Sequence, residues 1–328
     1  MKFKFKDLLR KKTHKKESSL QQMLQAALNA YQVGQLQEAE IRYQQILHYH
    51  PKHPKVLHAL GILAAQQGRN EQAIDYLTQA ISVHPQSALF HTHLGNVLQN
   101  LGRLQEAVIC HQKALALQGK NHPQAALIYN SLGVCYCGQN HLSQAVDYFQ
   151  TALNLNPHYP EAHNNLANVW VSQGHYEQAI QLYQKAIELR PNFAGAYAGL
   201  GHALHCCHQD HEAMLACQHA LQLDARLAKA HLTCGEILFV QQNYSEALTS
   251  LYQAFKLEPE NKKIHFVLGK VFESLHDLEQ AIHHYHQALP LFTEVYHHLG
   301  QIYQQQGNME QAEIYFQKSL GNQVTKDV

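Results

Sequence analysis

The densest group of potentially reactive side chains in this 328-residue sequence lies within residues 202–219. This stretch contains His202, His205, Cys206, Cys207, His208, His211, Cys217 and His219. Residues three apart share one face of a helix, and imidazole and thiolate groups are ligands that zinc accepts. Zinc sites usually take four ligands, however, and the stretch has no Cys-x-x-Cys pair. The favoured interpretation is a polar groove lining without a cofactor, and a metal site at His202, His205 and Cys206 is the alternative.

Cys206 is also the only cysteine of this stretch that the spacing places beside a base suited to nucleophilic catalysis, either His202 or His205. A catalytic thiol needs a base that is oriented by a third group, and an oxyanion site for the intermediate. The sequence supplies neither an orienting acid nor an oxyanion motif. It also has no glycine-rich phosphate loop, because its glycines mark helix turns and crossings. We therefore predict a protein that is not an enzyme.

Charge is distributed unevenly along the chain. The net formal charge is zero, and 27 histidines carry much of the polarity. Residues 1–19 have eight basic and two acidic side chains, so the remainder is net negative, which excludes nucleic-acid binding by the body. The basic leader is expected to be flexible, and weak contact with an anionic membrane or an acidic partner is the alternative. With an odd cysteine count of seven, no secretory signal and no membrane-length apolar run, the predicted location is cytoplasmic.

One alanine position sets the period of the chain. It recurs as Ala39, Ala73, Ala107, Ala145, Ala179, Ala213, Ala247, Ala281 and Ala312, at spacings of 34 except for one of 38 and one of 31. Twelve residues before each alanine lies another small residue: Ala27, Gly61, Gly95, Gly133, Ala167, Gly201, Gly235, Gly269 and Gly300. Glycine inside a helix costs about 1 kcal/mol relative to alanine, so a recurring helical glycine predicts a close crossing of two helices.

Turn and stop signals complete the unit. Between the two helices stands a turn residue, which is Gly34, Gly68, Gly102, Asn140, Gly174 or Gly307, with His208, Gln242 and His276 in three units. Glycine or asparagine there favours a left-handed helix C-cap. A proline follows the second helix in five units, as Pro51, Pro85, Pro157, Pro191 and Pro259. The sequence thus predicts nine helix–turn–helix units.

This degenerate 34-residue unit, with its small–large–small rhythm and closing proline, resembles the tetratricopeptide repeat (TPR). The resemblance covers about residues 20–320. It implies an all-α, right-handed superhelical α-solenoid in which the first helix of each pair lines a concave surface. Repeats such as the segment 161–168 (EAHNNLAN) are similar to those of O-linked N-acetylglucosamine transferases and bacterial TPR–transferase proteins, whose inner face carries an asparagine ladder. Because the resemblance accounts for nearly all of the given sequence, we expect no catalytic domain beside the repeats.

The helical phase predicts which side chains face the groove. The predicted peptide-binding residues are Asn96, Asn100, Asn130, Asn164, Asn165, Asn168, His202, His205 and Gln301. Asparagine both donates to and accepts from a peptide backbone, so a row of amides suits an extended chain. We therefore predict a scaffold or adaptor that binds a peptide or partner protein. The alternatives are a substrate-presenting partner of a glycosyltransferase or sulfotransferase supplied by another chain, and a His-rich metal- or pH-responsive scaffold.

The predicted organisation is a leader at 1–19, a solenoid at 20–320 and a short tail at 321–328. The nine repeats are placed at about 20–53, 54–87, 88–121, 126–159, 160–193, 194–227, 228–261, 262–292 and 293–320. Because the tail is too short for a capping helix, the apolar face of Ile314, Tyr315 and Phe316 predicts a possible dimer contact.

Overall fold

The structure is a computed structural model that describes residues 20–122 and 124–324, with side chains to residue 320. The basic leader at 1–19 and the end of the predicted tail lie outside the described residues. Within the described residues the chain forms eighteen α-helices and no strand, which confirms the all-α class. None of these helices combines the length and the apolar character needed to cross a membrane.

The chain divides into two compact units, Met1–Pro157 and His158–Val328. The helices described in the first unit are α1 (20–32), α2 (Leu36–Tyr49), α3 (Pro54–Gln66), α4 (Asn70–Val83), α5 (Ala88–Asn100), α6 (Leu104–Gln118), α7 (Ala125–Gly138) and α8 (Leu142–Leu155). Those of the second unit are α9 (Pro160–Ser172), α10 (Tyr176–Leu189), α11 (Ala194–Cys206), α12 (Asp210–Leu223), α13 (Ala228–Val240), α14 (Tyr244–Leu257), α15 (Lys262–Ser274), α16 (Leu278–Ala288), α17 (Glu294–Gln305) and α18 (Met309–Val324).

The helices pack as consecutive pairs, for example α3 with α4 and α11 with α12. In both units the first helices of neighbouring pairs also contact each other: α3 with α5, α5 with α7, α9 with α11, α11 with α13 and α13 with α15. Among the described residues, the second helices make no comparable contacts with one another. Each unit is therefore a stack of helix pairs in which these first helices form one continuous layer. We call the surface of that layer the inner face.

The recurring small residues lie where the sequence predicts close approach, and the structure shows what fills the space above them. A Cβ atom added to Gly235 would lie 2.6 Å from Leu251 Cγ and 3.4 Å from the Ala247 carbonyl oxygen. The same relation links Gly61 to Leu77 and Gly133 to Phe149. The large side chain sixteen residues later thus covers the glycine, while the periodic alanine brings its backbone close. The periodic alanines are buried throughout.

The turn residue of every pair adopts a left-handed backbone, as the sequence predicts. The φ angle is positive at Gly34, Gly68, Gly102, Asn140, Gly174, His208, Gln242, His276 and Gly307. The closing prolines stand directly after the helix C-caps, as Pro191 does after Arg190. The two departures from the 34-residue period fall in a connector and in a shortened helix. The connector 119–124 separates α6 from α7, and α16 has 11 residues where α14 has 14.

At the end of the second unit, the face predicted to favour a dimer is partly open. Ile314 is 38% exposed and Leu320 is 63% exposed, while Tyr315 and Phe316 are half-buried. The dimer contact stays a prediction.

Candidate peptide-binding face

The predicted groove residues of the first unit differ in their accessibility. Asn96 on α5 is half-buried, and its Oδ1 accepts a hydrogen bond from Ser131 Oγ of α7 at 3.4 Å. Asn100 is exposed, and Asn130 is buried at 9% exposure. The link between Asn96 and Ser131 therefore joins two neighbouring first helices, whereas Asn130 offers little surface to a ligand.

In the second unit, α9 carries three of the predicted asparagines. Asn164 and Asn165 are half-buried, and Asn164 Nδ2 donates to Asn165 Oδ1 at 3.4 Å. Asn164 Oδ1 is buried and accepts no hydrogen bond. Asn168 is exposed and accepts a hydrogen bond from Tyr183 Oη at 2.6 Å. The amide of Asn168 is thus fixed in position by a tyrosine that is itself fully buried.

The His–Cys stretch does not converge on one point. His205 Nδ1 lies 2.6 Å from Asp210 Oδ1, which ties His205 to the start of α12. His202 is half-buried, and its ring nitrogens lie 4.0 Å from Cys206 Sγ. Among residues 20–122 and 124–324, no group of three or more histidine, cysteine or acidic side chains is arranged to hold a metal ion.

Burial also sets the protonation of this stretch. It lowers the pKa of His202 to about 3, with further lowering from Lys263 and Lys229, so the ring is neutral near pH 7. Burial raises the pKa of the Cys206 thiol. A protonated thiol is the opposite of what a nucleophile needs. Within the described residues, the structure thus does not bring His202, His205 and Cys206 together at one point.

Two lysines complete the inner face, and sequence reasoning missed them. Lys229 on α13 and Lys263 on α15 are 34 residues apart and occupy equivalent positions in successive pairs. Lys263 Nζ lies 2.9 Å from Glu236 Oε1 on α13, and Glu236 Oε2 is buried with no hydrogen-bond partner. Their 34-residue spacing was the available signal in the sequence.

Lys229 lacks the equivalent counter-ion. The position on α11 that corresponds to Glu236 holds His202, which is neutral. Lys229 forms no ion pair with any described residue. Desolvation, and then the charge of Lys263, lower the pKa of Lys229, which is exposed on α13. Lys229 is thus a cation without an ion-pair partner among the described residues.

The remaining candidate, Gln301, is exposed on α17. Glu273 of α15 accepts a hydrogen bond from Tyr285 Oη and lies 2.9 Å from His298 Nδ1. The Lys270 ammonium stands over the rings of Phe239 and Phe266, 5.0 and 5.5 Å from their centroids. Phe239, Lys270, Glu273 and His298 border an open pocket of about 350 Å³.

Stacked pairs of antiparallel helices, with left-handed turns and a layer of first helices, define a helical-repeat protein. Family models described as tetratricopeptide repeat match residues 24–77 and 232–294, 86–158, 148–181, 167–205 and 293–323. The chain is a tetratricopeptide repeat protein, as its period predicted.

Solved structures with the same architecture support this assignment at the level of the fold. A tetratricopeptide repeat protein from Parabacteroides merdae is 18% identical, with a TM-score of 0.61 over 78% of this chain and 99% of that one. PilF of Pseudomonas aeruginosa is 18% identical, with a TM-score of 0.58 over 67% and 98%. PilW, a type IV pilus biogenesis factor, is 20% identical, with a TM-score of 0.57 over 63% and 93%.

Proposed function

We propose that this protein is an interaction scaffold that holds an extended peptide of a partner along the inner face of its second unit. TPR stacks present extended binding surfaces because each repeat adds one helix to the same layer. The observation that carries the proposal is the unpaired charge on that face. Lys229 is an exposed cation that forms no ion pair with a described residue, and the exposed amide of Asn168 is held by Tyr183 on the same layer of first helices.

A peptide backbone supplies carbonyl oxygens for an ammonium group, and both donors and acceptors for asparagine amides. An acidic side chain of the peptide would satisfy Lys229 still better, because a hydrogen bond between charged groups is stronger than a neutral one. The proposed ligand is therefore an extended peptide with an acidic residue opposite Lys229.

Selection from a displayed random-peptide library, followed by calorimetry on the selected peptides, tests this function. The groove variant is Asn164→Ala combined with Lys229→Gln. We expect it to bind the selected peptides at least about tenfold more weakly, the loss of one charge-assisted hydrogen bond. The matched control is Gln218→Ala combined with Lys256→Gln, which removes an exposed amide and an exposed ammonium from the second helices α12 and α14. Equal affinities for the wild type and the groove variant would refute the proposal.

A further inference from the structure

The first unit carries a second concave site of different chemistry. A trough of about 940 Å³ opens between α1, α3 and α5, within the 300–1,000 Å³ range typical of ligand sites. Its apolar walls include Leu24, Leu28, Tyr31, Ile62, Leu89 and Phe90. Leu28 is 40% exposed and Leu89 is 54% exposed. Aliphatic side chains that converge on one concavity from three helices indicate a binding surface rather than scattered surface residues.

The described lining of the trough has one charge. Among the described residues that line it, Lys55 of α3 is charged and none is acidic, and Lys55 forms no ion pair with a described residue. His58, on the same helix, adds no charge, because burial and the neighbouring His93 lower its pKa to about 4. The His58 ring stacks on Phe90 at 4.6 Å, and its Nε2 lies 2.6 Å from His93 Nδ1. The described lining is thus apolar and aromatic with a single cation at its edge.

We propose that this trough binds an acidic amphipathic segment of a partner protein, with bulky apolar side chains in the trough and a carboxylate on Lys55. An apolar groove between helices is a common receptor for the apolar face of such a segment. The charge of Lys55 decides between possible occupants. Residues 1–19 of this chain contain eight basic and two acidic residues, which makes them a poor electrostatic match for a trough whose described lining carries a lysine and no acidic residue.

Two fluorescein-labelled peptides provide the test. Each has about 15 residues, which is about the length at which a peptide can form a helix. Both carry the same stripe of leucine and phenylalanine, flanked by glutamate in one and by lysine in the other. In fluorescence anisotropy with the full-length protein, we expect the glutamate peptide to bind at least about tenfold more tightly. Lys55→Glu should reverse the order of the two peptides, because the trough then carries a negative charge.

The apolar part of the site is tested by a matched pair of substitutions. Leu89→Ser should weaken both peptides, since Leu89 lines the trough. Leu127 occupies the equivalent position on α7, is also 54% exposed, and does not line the trough, so Leu127→Ser should leave both affinities unchanged. None of these residues belongs to the second unit, so the outcome is independent of the peptide proposed for that unit.

Three results would overturn the inference: no binding of either peptide, equal binding of both, or no reversal by Lys55→Glu. Amine cross-linking of the free full-length protein gives a further check. Cross-links from Lys55 to the lysines of residues 1–19 that disappear when the glutamate peptide is added would make the chain's own leader the occupant. That result would also overturn the assignment to a partner.

Discussion

Lys263 Nζ lies 2.9 Å from Glu236 Oε1, and this ion pair joins α15 to α13 across the inner face of the second unit. One repeat earlier, the equivalent residues are Lys229 and His202, and the pair is missing. Equivalent positions therefore hold an ion pair between α13 and α15 and an unpaired lysine between α11 and α13. Repeat symmetry makes this difference visible, because each position has a counterpart 34 residues away.

The first prediction restores the missing partner. His202→Glu places a carboxylate where Glu236 stands in the next repeat, so the pKa of Lys229 should rise, because a nearby anion favours the charged ammonium. NMR titration of the lysine side chains measures this directly. His219→Glu, at an exposed position on the second helix α12, is the control and should leave Lys229 unchanged. If the pKa of Lys229 were the same in the wild type and in His202→Glu, positions 202 and 229 would not be equivalent to positions 236 and 263.

A second prediction concerns the left-handed turns. Gln242 has a φ of +61°, whereas Gln241 beside it has a φ of −77°. A left-handed backbone costs an ordinary residue about 1–2 kcal/mol. Glycine avoids that cost, but it loses more backbone entropy on folding than other residues do. Gln242→Gly should therefore stabilise the protein by roughly 0.5–1 kcal/mol. Gln241→Gly should destabilise it. Urea unfolding of the two variants checks the sign, and a lower midpoint for Gln242→Gly would be the contrary result.

A third prediction separates two kinds of helical glycine. At Gly235 an added Cβ would lie 2.6 Å from Leu251 Cγ, so Gly235→Ala should cost about 1–3 kcal/mol through overpacking. Gly195 near the start of α11 has nothing closer than Phe193 Cε2 at 3.6 Å, so Gly195→Ala should stabilise by up to about 1 kcal/mol. Thermal unfolding distinguishes them, and the same sign for both would contradict the packing argument.

These contrasts show what one sequence can and cannot predict. The alanine period fixed the helix pairs, the left-handed turns and the crossing glycines, because each depends on local backbone demands that repeat along the chain. The phase also placed Asn164, Asn168 and His202 on first helices. It could not reveal that Lys263 meets Glu236 or that Lys229 lacks a partner, because both depend on contacts between neighbouring first helices. The burial of Asn130 was likewise hidden, since it depends on neighbouring elements.

The last prediction follows from His111, which covers Gly95 where other repeats place leucine, phenylalanine, tyrosine or cysteine. His111 is fully buried, neither ring nitrogen has a hydrogen-bond partner, and burial lowers its pKa to about 4. Because the folded-state pKa lies below the unfolded value of about 6.5, its contribution is intact above pH 6.5 and is lost as the pH falls towards 4. The loss reaches about 3 kcal/mol at pH 4.

Urea unfolding between pH 7 and 4 should show a smaller decline in the free energy of unfolding for His111→Leu than for wild type, whereas exposed His48→Gln should follow the wild type. Parallel declines for His111→Leu and wild type would mean that this buried imidazole does not control acid stability.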